Sequence, residues 1–441
     1  MRGRIPPLGM AERRLLVNCA RLEMDAPMAS DTEALLHQPL DWDALLLHAR
    51  LHSVAPLVYR WVNRFQRQMH IPALARQGLL RLWHAAAYRN RLFTREHHRV
   101  VEAFDRASVP VIVPKGVVLL EEVYGNLALR PLIDLIFLVP ADREAAATQA
   151  LLRSGYVQKP LPAVDGLYRW CCPQLLFETF RGMRIQALLL SDLVSWPRWH
   201  RLNTPPLWQR ARIATLAGGR VRLLSPVDQV LYLCLQADNH GYFNAVALET
   251  MPAAELLFAE WSNNRLIRFT DIYEVIRRHR LVIDWERLAE HACAGGVEGA
   301  VYASLCLAGD LLGDVVPDSA LARLRPPRSG GIRRRVWEAV APQFDPRPPS
   351  VLKRAVGRRW RAARPYDQIR LARVIGLIEM VFPGLQAFRD TYQGRSRAPA
   401  VALYAERAAR ALLRSCATVL RFWLSGRFTT QQTSPATPPS R

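Results

Sequence analysis

Two short β-branched runs, at residues 109–114 and 132–139, interrupt a chain whose apolar residues otherwise recur at helical spacing, and this break limits the fold more than any other feature. Val-Pro-Val-Ile-Val-Pro at 109–114 is too short for a helix and reads as a buried strand, ended by Lys115-Gly116. Residues 117–124 read as a helix stopped by Gly125-Asn126, and residues 132–139 as a second buried strand with Asp134 inside it. An amphipathic helix over 141–152 closes at Gly155. Residues 168–180 and 183–190, joined by Arg181-Gly182, form an antiparallel hairpin.

Helical periodicity surrounds these strands. Leu45, Leu46, Ala49, Val54, Leu57, Val58 and Trp61 lie three and four residues apart, which predicts two or three helices over 41–107, the last beginning after Pro72. Ser225-Pro226 is a helix start, and the helical pattern then continues to about residue 312. The order predicts an α+β chain, a small mixed sheet flanked by largely helical N- and C-terminal regions. Its expected parts are an N-terminal helical region (1–107), a mixed-sheet core (108–224), a helical domain (225–325), a basic helical region (326–428) and a disordered tail (429–441).

With 50% hydrophobic and 22% charged residues the composition is that of a globular protein. No apolar run reaches the length of about 18 residues that a spanning helix needs: Lys115 and Arg421 break the two best candidates. The first 24 residues lack the apolar stretch of a secretory signal, so the expected location is the cytoplasm. The 7 cysteines, two of them the adjacent Cys171 and Cys172, fit neither a disulfide framework nor a zinc site. Charge is uneven: residues 321–441 hold 24 Lys plus Arg against 6 Asp plus Glu, leaving 36 against 32 for the rest. Such a tail, with Trp337, Trp360 and Trp423 among its arginines, predicts a polyanion contact through residues 327–428, to nucleic acid or an anionic membrane. A solvated helical surface is the plainer reading of the same residues.

The chemistry points to 113–139. A strand that stops at a glycine and hands over to a helix presents free backbone N–H groups that suit a phosphate, and Gly116 permits the close approach. Lys115 adds a positive charge for the same phosphates, and Asp134 on the next strand is a candidate Mg²⁺ ligand. Arg130 is a candidate phosphate clamp, with an ion pair to Glu121 or Asp134 as its structural alternative. Glu121 and Glu122 are further acids near the same helix. Asp271 and Asp284 read as helix-cap and core residues. His97, His98 and His279, in arginine-rich helical stretches, read as solvated.

Taken together, Arg89-Asn-Arg-Leu, the run ending Val-Pro-Lys115-Gly116, Arg130-Pro-Leu-Ile-Asp134-Leu-Ile136-Phe-Leu-Val and Gly155-Tyr resemble the bacterial uncharacterised nucleotidyltransferase family of the polymerase-beta-like superfamily. Later blocks, Asp271-Ile-Tyr, Ile283-Asp-Trp-Glu-Arg-Leu and residues 292–296 and 305–313, follow the family's later helices, and the likeness spans roughly residues 30–320. The resemblance implies a nucleotidyltransferase-type sheet that binds a nucleoside triphosphate and Mg²⁺ and transfers a nucleotidyl group to an acceptor, which the sequence does not name. It assigns Asp134 to catalysis and the metal, and Lys115, Gly116, Arg130 and Gln186 to the nucleotide.

The family's usual Asp-x-Asp places two carboxylates on one strand face, and here the second position is Ile136. Gln186 stands where a third acid is usual, and Leu188 where a histidine follows it. Asp192 shares the strand parity of Gln186 and is a candidate replacement. Three functions are therefore weighed: nucleotidyl transfer, a catalytically inactive member that binds nucleotide or a protein partner, and a scaffold for the basic C-terminal contact.

Overall fold

A computed structural model of the chain describes residues 8–65, 71–159, 174–193, 202, 204–238, 257 and 265–325, all of which belong to one compact unit. It opens with five helices: α1 (Met10–Cys19), α2 (Ala26–Leu36), α3 (Trp42–Leu51), α4 (Ala55–Phe65) and α5 (Ala73–Arg106). Asp25 and Asp41 start α2 and α3, their carboxylates accepting from the backbone N–H of Met28 and Ala44, which answers donors that a first turn otherwise leaves unpaired. At 34 residues α5 is about 50 Å long. Its buried stripe, Leu79, Ala86, Asn90, Phe93, His97, Val100 and Phe104, recurs every three, four or seven residues, so one face meets the rest of the unit along its length.

Seven strands form one mixed sheet: β1 (Ile112–Val113), β2 (Leu135–Leu138), β3 (Val157–Lys159), β4 (Gln174–Phe180), β5 (Arg184–Leu190), β6 (Arg212–Leu216) and β7 (Gly219–Leu223). Their order is β3-β4-β5-β2-β1-β7-β6. β2 runs parallel to β5 with Leu135 beside Ala187, and β4 runs antiparallel to β5 with Glu178 opposite Gln186. Strand side chains alternate between faces, so Leu135, Phe137, Ala187 and Leu189 enter a core with Phe93 and Phe104 of α5 and with α7 (Glu144–Arg153). Phe104 meets Phe137 edge-on, ring centroids 5.3 Å apart. Between β1 and β2, α6 (Val117–Leu119) continues as a wider turn over Leu120–Tyr124.

Beyond α8 (Thr204–Arg210) and the β6–β7 hairpin the chain is helical again: α9 (Pro226–Asp238), α10 (Leu266–His279), α11 (Trp285–Ala294), α12 (Glu298–Leu312) and α13 (Asp318–Leu324). Ser225 and Asp228 cap α9 reciprocally, the Ser225 hydroxyl donating to the Asp228 carboxylate at 2.6 Å and accepting from its N–H at 3.3 Å. Val230, Leu231, Tyr232 and Cys234 are buried on successive sides of α9, because α10 and α12 both lie against it. No described helix is long and apolar enough to cross a membrane.

The α+β architecture is the one expected, and the three predicted helices over 41–107 are α3, α4 and α5. The strands are shorter than read. β2 begins at Leu135, so Asp134 stands one residue before the strand and escapes the cost of a charge inside it. The β6–β7 hairpin went unread although Ala217 (φ 49°) and Gly218 (φ 82°) form its turn, a left-handed pair that the Gly-Gly step announces. The Glu121 carboxylate accepts from the Ala217 N–H at 3.0 Å and Glu122 pairs with Arg212, so these acids tie the hairpin down. Residues 168–173 of the expected hairpin, the linker, the basic C-terminal region (326–428) and the tail lie outside the described residues.

His97 is the clearest correction. Far from solvated, it is 1% exposed, stacked on Phe137 at 5.5 Å, and neither ring nitrogen has a hydrogen-bond partner among the described residues. Its position in the core stripe of α5 outweighs the arginines around it in sequence. Burial, with His98 adding, depresses its pKa to about 3; burial and His48 depress that of His52 to about 4. His52 Nδ1 accepts from the Leu266 N–H at 3.3 Å, which requires the unprotonated ring nitrogen. Both rings fold neutral and titrate near 6.5 when unfolded, so their stabilising contribution is full above pH 6.5 and is lost as pH falls towards 3 or 4. Each site should cost about 1.4 kcal/mol per pH unit well below 6.5. Chemical denaturation at pH 7 and pH 5 should show the loss, and His97→Phe should flatten the slope; an unchanged slope contradicts the assignment.

Arg130 pairs with neither Glu121 nor Asp134. Its guanidinium grips the carboxylate of Asp271, Nε at 2.8 and 3.0 Å and a terminal nitrogen at 2.7 Å, and the two side chains are 10% and 3% exposed. Asp271 caps nothing: it sits in mid-α10 and also accepts from the Tyr124 hydroxyl at 2.8 Å. Asp284 does cap α11, accepting from the Arg287 N–H. Burial works against the charged guanidinium, yet Asp271 outweighs it and holds the Arg130 pKa above its ordinary value. Arg130→Ala leaves Asp271 buried without its counter-ion and should cost about 3–5 kcal/mol by denaturant titration, while Arg130→Met with Asp271→Leu should recover much of that loss. A loss under about 1 kcal/mol for Arg130→Ala contradicts the pairing.

Candidate functional site

β1 ends at Val113, and Pro114, Lys115 and Gly116 turn the chain into α6. Gly116 has φ +80°, a conformation that side chains disfavour, and a Cβ built there would lie 3.8 Å from the backbone oxygen of Asp134. The turn and the aspartate are therefore neighbours. Two glutamines of α9, seven residues apart and so on one helix face, hold the turn: Gln229 donates to the Pro114 carbonyl at 3.5 Å, and Gln236 accepts from the Lys115 ammonium at 3.5 Å.

Asp134 is delivered by residues 125–134, which Asn90 of α5 fixes. The Asn90 side chain is fully buried; its amide nitrogen donates to the carbonyls of Leu127 and Arg130, and its oxygen accepts from the Leu132 N–H at 2.8 Å. Arg89, one residue earlier, donates to the Leu132 carbonyl and lies over Phe93 at 5.1 Å. Arg130 and Tyr124, bound to Asp271, anchor the same stretch to α10. Side chains from α5 and α10 thus fix the loop from two sides.

Charges of both signs meet at Asp134. Burial holds the Lys115 ammonium below its usual range; Asp134 pulls it up, and Arg130 and Arg268 push it further down. Arg89 and Arg268 are likewise lowered by burial, Arg268 to about 10 with Arg265 adding, and in both Asp134 opposes the shift. The Tyr232 phenol of α9 is raised by burial and by Asp134. The partly buried carboxylate accordingly sits among Lys115, Arg89 and Arg268, cations from three separate elements.

Expected ligands beyond Asp134 are placed otherwise. Carrying the β2–β5 register back one residue sets Asp134 beside Gln186, and the Gln186 amide donates to Glu178 of β4 at 2.7 Å. Glu178 also pairs with Arg184 and with Lys159 at 3.5 Å, and Arg184 and Gln186 hold its carboxyl below the usual range. Ile136 is 3% exposed and offers a cation nothing. Asp192 lies past the end of β5. Among the described residues no group of three or more His, Cys, Asp and Glu is placed to hold a metal ion. The donors around Asp134 do not fit the paired carboxylates that a two-metal centre needs.

The structure thus brings Lys115, Gly116 and Asp134 together, sets Gln186 on the neighbouring strand, and turns Arg130 to Asp271. Sequence reading did not single out Asn90, Gln236, Tyr232 or Arg268. Asn90 carried a signal, an amide at a core position of the α5 stripe, where a buried polar group needs partners. Arg268 carried none, since one arginine among many on α10 declares itself only when the helix is placed.

No curated protein and no solved structure matches the chain. The family model described as uncharacterised nucleotidyltransferase matches residues 38–313, from the start of α3 to the end of α12, and includes every residue of the pocket. The chain belongs to the uncharacterised nucleotidyltransferase family.

Proposed function

We propose that the chain takes the triphosphate of a nucleoside triphosphate at the Lys115–Gly116 turn and transfers the nucleotidyl group to an acceptor held beside Asp134. The observation that carries this reading is the single pocket shared by a glycine turn, a lysine and a carboxylate inside a matched nucleotidyltransferase region. In the reaction an acceptor oxygen attacks the α-phosphorus, its proton passes to Asp134, and the bond from that phosphorus to the bridging oxygen breaks. Pyrophosphate leaves with the bridging oxygen, its charge steadied by Lys115. Arg130 acts at a distance by fixing the loop, and Gln186, turned to Glu178, lines the pocket without gripping a phosphate. The cytoplasm, which the sequence favours, supplies the triphosphate.

Binding without turnover is the second reading, favoured by Ile136. Losing one preorganised electrostatic contact typically slows a reaction about 100- to 1000-fold. Incubation with α-labelled triphosphates and a small-molecule extract separates the readings. Transfer predicts labelled product and equimolar pyrophosphate, both abolished in Asp134→Ala at unchanged melting temperature. Nucleotide binding by calorimetry with no product after prolonged incubation selects the second reading.

A further inference from the structure

Building on the nucleotide reading above, we propose that this pocket takes the triphosphate as a bare polyanion, neutralised by guanidinium and ammonium groups, with no divalent cation between it and Asp134. Two sets of observations meet in this inference.

The first concerns the acids. Mg²⁺ demands several oxygen ligands in near-octahedral array, usually carboxylates together with phosphate and water. Each neighbouring carboxylate is already engaged: Asp271 by Arg130 and Tyr124, Glu178 by Gln186, Arg184 and Lys159, Glu121 by the Ala217 N–H, and Glu122 by Arg212. Freeing Glu178 or Asp271 for a metal would strand the cations that now pair with it. Ile136 fills the remaining position with hydrocarbon.

The second concerns the cations. Arg89, Lys115 and Arg268 surround one carboxylate, and Arg130 cancels against Asp271, so the pocket carries a surplus of two positive charges. That surplus repels a dication and attracts a triphosphate, which is itself tetra-anionic near neutral pH. The three cations approach from α5, from the β1–α6 turn and from α10, so that they can meet different phosphoryl oxygens. Arg89 is steadied by the Leu132 carbonyl and the Phe93 ring, and Lys115 by Gln236. Groups already held in place lose little freedom on binding. Each is also partly buried, and an incoming anion supplies the counter-charge that desolvated cations lack.

The test is calorimetric titration of the full chain with inorganic tripolyphosphate and with ATP, once in EDTA and once in excess Mg²⁺. Binding in EDTA should be at least as tight as in Mg²⁺ and should weaken as salt rises. Arg89→Gln and Arg268→Gln should each weaken binding in EDTA about 10- to 100-fold, the worth of one hydrogen bond to a charged group. Arg268→Lys, which keeps the charge, should lose less, and melting curves check that every variant is folded. Binding seen only with Mg²⁺ overturns the inference and leaves the nucleotide reading standing. Wild-type affinity in both glutamine variants also overturns it, and absence of binding in either buffer removes both.

Discussion

The position of Asp134 depends on one buried polar joint. Asn90 makes three hydrogen bonds to the backbone of residues 127–132, and Arg130, within that stretch, is locked to Asp271 of α10. Each group would be expensive to bury alone; paired, they leave the loop a single conformation. The loop therefore ends where Asp134 meets the Gly116 turn. Without the joint, two short strands would be a weak frame, since β1 has two residues and β2 four.

This joint divides the site into parts that build and parts that face the pocket. Arg130, Asp271, Tyr124 and Asn90 have their hydrogen-bonding capacity directed at one another and at backbone. Lys115, Arg89 and Arg268 instead reach Asp134 by charge, across a partly buried opening. An arginine that looks like a phosphate clamp in sequence can thus be structural. One on a later helix, unremarkable in sequence, can belong to the pocket.

Much of the frame was legible in the chain because local rules set it. Val109 to Pro114 and the Lys-Gly stop gave β1 and its turn, the spacing from Leu45 to Trp61 gave the helices, and Ser225-Pro226 gave the start of α9. Readings failed where tertiary partners decide. His97 has polar neighbours in sequence and Phe137 in space. Asp134 reads as part of an apolar run, yet the ladder begins one residue later. The partner of Arg130 lies 141 residues away, beyond any pattern in the strand region. Ile136 and Gln186, by contrast, were informative as they stood, because strand parity tells which face they share with Asp134.

The central claim is that the Gly116 turn, Lys115 and Asp134 form one polyphosphate pocket. A crystal structure with a non-hydrolysable nucleoside triphosphate tests it most directly. The account predicts β- and γ-phosphate oxygens within hydrogen-bond distance of Lys115 and the α-phosphate beside Asp134. A triphosphate bound elsewhere on the chain, with Lys115 still on Gln236 and Asp134 untouched, contradicts it.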